Sequence, residues 1–234
     1  QPHRPTLIPG SAALVYQNSA MFGFFRTTGL DVLDRDERGR TAKVEGTQGD
    51  QLRALRDLGL CEVTEALFLG SASDAKALKK ENPHGITHVL NVSDMYVLPP
   101  GVGDNLTSDW VPINDDGYDN LFGPLQTEEQ FEANRAVDPE CRPSGAYWRC
   151  KVFLEAAFED PKSKVLVHCA LGVNRSATIV VAWLLETRRW TVDHALQHVS
   201  HCRPVISPAP HHKEQLLSFG AALGIEEKHS CLIS

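Results

Sequence analysis

Lys164-Val165-Leu166-Val167-His168-Cys169-Ala170-Leu171-Gly172-Val173-Asn174-Arg175-Ser176-Ala177-Thr178 reads as a buried strand, a tight loop from Cys169 to Arg175, and a helix that continues through Ile179 to Leu185. A helix N-terminus carries unsatisfied N–H donors and about +0.5 of a charge, so a loop entering it can wrap an anion in successive amides. Gly172 lets that loop bend without a Cβ clash. The same field favours a thiolate, and a cysteine that ordinarily titrates near ~8.5 can fall to ~3.5–7.5 in such a place. Cys169 is therefore the candidate nucleophile. Ser176 can donate its hydroxyl to that sulfur, and Arg175 offers a planar fork matching two phosphoryl oxygens.

Working outward, Ala66 to Gly70, Ile86 to Val92 and Trp110 to Ile113 read as strands, with Ser71 or Ser73 capping a helix through Ala77, Leu78 and Lys80. Helices are expected over Asp50–Leu58, Tyr147–Leu154, Val192–Val199 and Glu214–Leu223. Strands alternating with helices predict an α/β fold: a central, mostly parallel twisted sheet flanked by helices on both faces. Residues 1–48, rich in proline and charge, are a poor core former and are read as a largely disordered extension, with Met21 to Phe25 able to dock. The chain opens on Gln1, which reads as an incomplete start.

With 234 residues and 42% hydrophobic content the chain can bury one substantial core, and its net charge of −7 argues against a nucleic-acid partner. The six cysteines have no regular spacing, which reads as a reduced, cytoplasmic or nuclear chain without a disulfide scaffold. No apolar run is long enough to span a bilayer.

The pattern His168-Cys169-x-x-Gly172-x-x-Arg175-Ser176 resembles the signature of cysteine-dependent protein phosphatases, and the Arg-Ser-Ala-Thr continuation resembles the small dual-specificity branch. Leu67-Phe68-Leu69-Gly70-Ser71 and Gly85 to Val92 resemble the opening of the same domain, so the similarity covers about residues 49–223. It implies a tyrosine-phosphatase-like fold, no cofactor, and hydrolysis of phosphotyrosine and phosphoserine or phosphothreonine through a phosphocysteine. Phosphoproteins would be the substrates, kinases among the candidates. Cys169 and Arg175 would be catalytic; Ala170, Leu171, Gly172, Val173 and Asn174 would line the phosphate loop with Arg175. His168 and Ser176 would support the cysteine, and Asn91 would brace the loop by a hydrogen bond.

Such a reaction needs a carboxyl group to protonate the leaving oxygen and then to activate water. In the family a loop after a strand carries it; here Asn114-Asp115-Asp116-Gly117 fits, with a six-residue step to Leu121 selecting Asp115 and Asp116 as the alternative. The gap from Asp115 to Cys169 exceeds the family norm by roughly twenty residues, an insertion at about 122–145 whose extra chain is Thr127 to Gly145. Should it displace the acid loop, a weakly active phosphate-binding scaffold is the alternative function. Asn174 and Ala209 stand where the family commonly has Ser and Asn. The loop's uncharged variable residues favour phosphoprotein over inositol lipid substrates. His194, His198, His201 and Cys202 share helical spacing, but no metal site is expected there, since the stretch coincides with a family helix. The tail 224–234 ends Cys231-Leu232-Ile233-Ser234, a C-a-a-X box for prenylation of Cys231 that would add weak membrane association if Ser234 is the native end.

Overall fold

The computed structural model describes residues 58–95 and 106–226, together with the backbone of two short strands, β1 (Leu33–Arg35) and β2 (Thr41–Lys43). These residues lie within the unit Val32–Ser234. The docking segment Met21–Phe25, the helix expected over Asp50–Leu58 up to its last residue, and the Cys231 box fall outside the described residues. Within the stretch 1–48 the described strands β1 and β2 pair antiparallel, with Leu33 opposite Lys43. The backbone groups of Leu33-Asp34-Arg35 find ladder partners in Thr41-Ala42-Lys43.

Five strands make the central sheet: β3 (Cys61–Thr64), β4 (Leu67–Gly70), β5 (His88–Asn91), β6 (Thr107–Trp110) and β7 (Val165–His168). Their order is β3-β4-β7-β5-β6, with β3 antiparallel to β4 and every other pair parallel. The helices are α1 (Ala72–Ala77), α2 (Glu128–Val137), α3 (Ala146–Phe158), α4 (Arg175–Arg188), α5 (Val192–Cys202) and α6 (Pro210–Ala222).

Side-chain alternation along the inner strands divides the core in two. Leu67, Leu69, Leu90, Val165 and Val167 point into a large cluster shared with α3, α4, α5 and α6. Phe68, Val89 and Leu166 point the other way, onto Ala75 and Leu78 of the α1 region. Strands buried on both faces are apolar without interruption, which is why Leu67-Phe68-Leu69 and Val165-Leu166-Val167 contain no polar residue. Each fully buried large side chain contributes about 1.5–3 kcal/mol relative to exposure.

The sheet register sets up the site. Gly70, His168, Asn91 and Trp110 pair into one row, so four strands end at the same level. The chain past that row supplies the residues discussed below. β6 lies three residues earlier than the expected Trp110–Ile113: Val111 N–H still reaches Asn91 O at 2.9 Å, but β5 ends there, and Pro112 has no N–H to extend a ladder. β3 lies where the sequence predicts no strand; Cys61-Glu62-Val63-Thr64 is a short edge strand with a bulge between Glu62 and Thr64. Ser71, not Ser73, caps α1, through a capping box with Asp74. Among the described residues no helix is long and apolar enough to cross a membrane.

Candidate active site

β7 delivers Cys169 to the centre of the row, and α4 begins six residues later. Between them the loop carbonyls turn outward, each onto a donor. Ala170 O accepts from Ala72 N–H at 3.1 Å, and Val173 O from Ser207 N–H at 2.8 Å. Leu171 O and Gly172 O accept from Arg203 Nη2 and Nε at 3.0 and 2.8 Å. Across a trans peptide the C=O of one residue and the N–H of the next point in opposite directions. Four outward carbonyls therefore turn the amides of Leu171, Gly172, Val173 and Asn174 inward, and Gly172 N–H indeed lies 3.3 Å from Cys169 Sγ. Gly172 has φ +70°, and a Cβ there would meet Gly70 O at 2.5 Å, so no other residue fits.

Burial of Cys169 by itself would push its thiol up. The Arg175 guanidinium, the Ser176 hydroxyl at 3.2 Å and the Ser176 N–H outweigh that and hold the thiol below its ordinary value. Asn174 occupies the N-cap of α4 without capping it, which leaves the first-turn N–H groups free to face the sulfur. Burial lowers the pKa of His168 at the end of β7, and its Nδ1 donates to Cys169 O at 3.1 Å, since a carbonyl can only accept.

Arg175 is buried on the first turn of α4. Its Nη1 donates to Asp94 Oδ1 at 2.6 Å and to Ile113 O at 3.1 Å. Its Nε lies 3.0 Å from Asp115 Oδ1, an ion contact without hydrogen-bond alignment. Asp115 thus reaches the guanidinium despite the insertion. Its side chain is 56% exposed at the rim. Crowding by protein on its inner side raises its carboxyl, and Arg175 and Asn174 oppose the rise. Asp116, the alternative acid, points elsewhere: its carboxylate pairs with Arg142 at 2.8 Å.

Asn174 ties the acid loop to the phosphate loop. Its Nδ2 donates to Asp115 Oδ1 at 3.0 Å, and its Oδ1 accepts from Ala209 N–H at 2.8 Å and from His212 Nδ1 at 2.9 Å. The asparagine that departs from the family pattern therefore holds Asp115. His212 is wholly buried, and its Nε2 has no hydrogen-bond partner among the described residues. Burial lowers its pKa from 6.5 to about 4, helped by Arg175 and His211 and opposed by Asp116. Below pH 6.5 the unfolded chain takes up a proton that the folded chain refuses, so stability falls as pH drops through that window towards about 4. We expect the loss to reach about 3 kcal/mol. Urea melts between pH 7 and pH 4.5 should show a shallower decline for His212→Asn than for the native chain.

Several residues of the site carried no signal in the sequence. Arg203 ends α5 just before Pro204, yet is buried among carbonyls of the phosphate loop and of Gly59, at 2.7 Å from the latter. Asp94 sits three residues past β5, and Asp119 closes the acid loop by accepting from Asn114 N–H at 2.8 Å. Asn91 needs correcting: its side chain bonds Ser93 N–H and Met95 O instead of the phosphate loop. Its position at a strand end suggested the loop, but a side chain there reaches the next turn of its own strand, and so it braces the turn that presents Asp94. Of the histidines at helical spacing, His198 Nε2 lies 2.8 Å from Val63 O and His194 stacks on Trp190 at 4.4 Å. Among the described residues no group of three or more His, Cys, Asp or Glu side chains could hold a metal ion.

A cysteine between amides and a guanidinium, with a carboxyl above it, is the equipment of an ester-cleaving phosphatase, and comparison with known proteins places the chain. Residues 67–222 match the family model "Dual specificity phosphatase, catalytic domain", and the chain belongs to that family. It is similar to the protein phosphatase Slingshot homolog of Xenopus laevis, 28% identical over 173 residues, 73% of this chain and 21% of the relative. Human dual specificity protein phosphatase 8 is 29% identical over 166 residues, 71% of this chain and 23% of the relative. The chain therefore spans less than a quarter of either relative's length. The crystal structure of human DUSP28 matches with a TM-score of 0.53 at 28% identity, over 70% of this chain and 95% of that one.

Proposed function

We propose that the chain is a dual-specificity protein phosphatase that cleaves phosphotyrosine and phosphoserine or phosphothreonine esters through a phosphocysteine. The observation that carries the reading is the approach of Gly172 N–H and Ser176 Oγ to Cys169 Sγ, at 3.3 and 3.2 Å, beneath Arg175 and Asp115.

In the first step the Cys169 thiolate attacks phosphorus and the bond to the leaving oxygen breaks. Arg175 turns from its carboxylates to grip two phosphoryl oxygens, the inward amides take the third, and Asp115 gives its proton to the departing oxygen. In the second step the Asp115 carboxylate takes a proton from water, which attacks the phosphocysteine. Inorganic phosphate leaves, and the Ser176 hydroxyl steadies the returning thiolate. The raised carboxyl of Asp115 suits a group that must be protonated first and ionised second.

Ala170, Leu171, Val173 and Asn174 put no extra positive charge in the loop, which supports phosphoprotein over inositol lipid substrates, with kinases as one candidate class. The free cysteines Cys61, Cys141, Cys150, Cys169 and Cys202 support a reducing, cytoplasmic or nuclear setting. If Ser234 ends the native chain, a prenyl group on Cys231 would add weak membrane attachment.

Phenyl phosphate, whose leaving phenol resembles tyrosine, tests the assignment of the acid. The native rate should fall at low pH as Cys169 is protonated and at high pH as Asp115 ionises. Asp115→Asn should lower kcat about a hundredfold and remove the high-pH limb. A variant that keeps both limbs would exclude Asp115.

A further inference from the structure

The inserted segment carries a residue that serves the acid loop. Both of its ends return to one place: Asn120 N–H donates to Pro143 O at 3.0 Å, and Asn120 O accepts from Gly145 N–H at 2.8 Å. Beyond those bonds the chain forms α2, capped by a Thr127–Gln130 capping box and burying none of its residues. Packing of α2 therefore does not explain the segment, whereas the chain that follows α2 touches the acid loop through Arg142.

Arg142, next to the pinned Pro143, sends its guanidinium to Asp116 Oδ2 at 2.8 Å and lies 5.9 Å from the centre of the Tyr118 ring. The other Asp116 oxygen accepts from Tyr118 N–H at 3.0 Å, which occupies both oxygens. Tyr118 in turn packs against His211 of α6, ring centres 4.3 Å apart and tilted by 43°. Gly117 lies so close to α6 that a Cβ on it would meet the Ala209 Cβ at 2.9 Å. The turn 116–118 is thus held between the first turn of α6 and the insertion, and Asp115, one residue earlier, is left to Arg175 and Asn174.

The geometry points to Arg142 as a positioning residue of the insertion, which holds Asp116 and Tyr118 so that Asp115 stands over the phosphate site. This rests on Asp115 being the proton donor proposed above. Arg142 is 44% exposed, so its ion pair is a weak one, and its removal should be felt as a several-fold change.

The test compares two esters: phenyl phosphate, which needs its leaving oxygen protonated, and a fluorinated coumarin phosphate, which needs little help. Arg142→Ala should lower kcat on phenyl phosphate about fivefold at unchanged KM and leave the coumarin ester within about twofold. Arg142→Lys should recover most of the loss, and Arg142→Ala should add little further loss in an Asp115→Asn background. Equal loss on both esters, no loss on either, or full additivity with Asp115→Asn would overturn the role of Arg142. Should Asp115→Asn itself show no dependence on the leaving group, the acid assignment falls first, and the role of Arg142 with it.

Discussion

Cys169→Ser should reduce turnover of any phosphate ester by about 10⁴-fold or more, the largest effect expected in this chain, while leaving the fold and phosphopeptide binding in place. The scale is that of losing a covalent nucleophile from a site whose remaining parts still bind. A serine hydroxyl fills nearly the same space but does not ionise under the field that Arg175, Ser176 and the free amides of α4 put on the sulfur. Alkylation supplies a second readout. Because the thiol is held below its ordinary value, its reaction with iodoacetamide should persist to lower pH than that of a free cysteine. Inorganic vanadate, filling the amide cradle, should protect it. A sulfur that titrates like a free cysteine would contradict the arrangement, as would a serine variant that turns over.

Arg203→Met should cause the largest loss of stability among the single changes considered, about 3–5 kcal/mol, together with a loss of activity. Arg203 is 2% exposed and touches no substrate. It donates to the carbonyls of Leu171, Gly172 and Gly59 at once. Charge-assisted hydrogen bonds of this sort contribute roughly 1.5–3 kcal/mol each, and three carbonyls deprived together of their donor are buried without partners. Methionine fills much of the volume, so the loss would report the missing donors and not a cavity. The peptides it releases are those whose N–H groups face the sulfur, so phosphate affinity should fall as well. A melt that moves by less than about 1 kcal/mol would mean that water replaces the guanidinium.

Much of the fold was legible because the decisive strands carry their burial in their composition. Val165-Leu166-Val167 and Leu67-Phe68-Leu69 are apolar on both faces, and Cys169 to Ser176 joins a strand to a helix through a glycine at positive φ. The short edge elements were less legible. Cys61-Glu62-Val63-Thr64 alternates over four residues only, and Trp110 to Ile113 has strand-like composition at a place where the partner strand has already ended. The side chains that hold the site from a distance were invisible for another reason. Asp94, Arg203 and His212 matter because the row of strand ends brings them within reach, and spacing along the chain encodes no such proximity. Asn174 reads in the sequence only as a departure from the family pattern, because its partners Asp115, Ala209 and His212 are distant along the chain.

The strand order has a consequence for how the chain comes together during synthesis. β4 and β5 do not touch each other; each is joined to the sheet's centre only by β7, the last strand to be made. Until Val165–His168 leaves the ribosome, the antiparallel pair β3–β4 and the parallel pair β5–β6 each present an open apolar edge, and the long loops between them delay closure. A nascent chain stopped short of β7 would therefore be sticky and a ready client for chaperones, whereas one extended through α4 acquires its centre and its catalytic cradle in the same event.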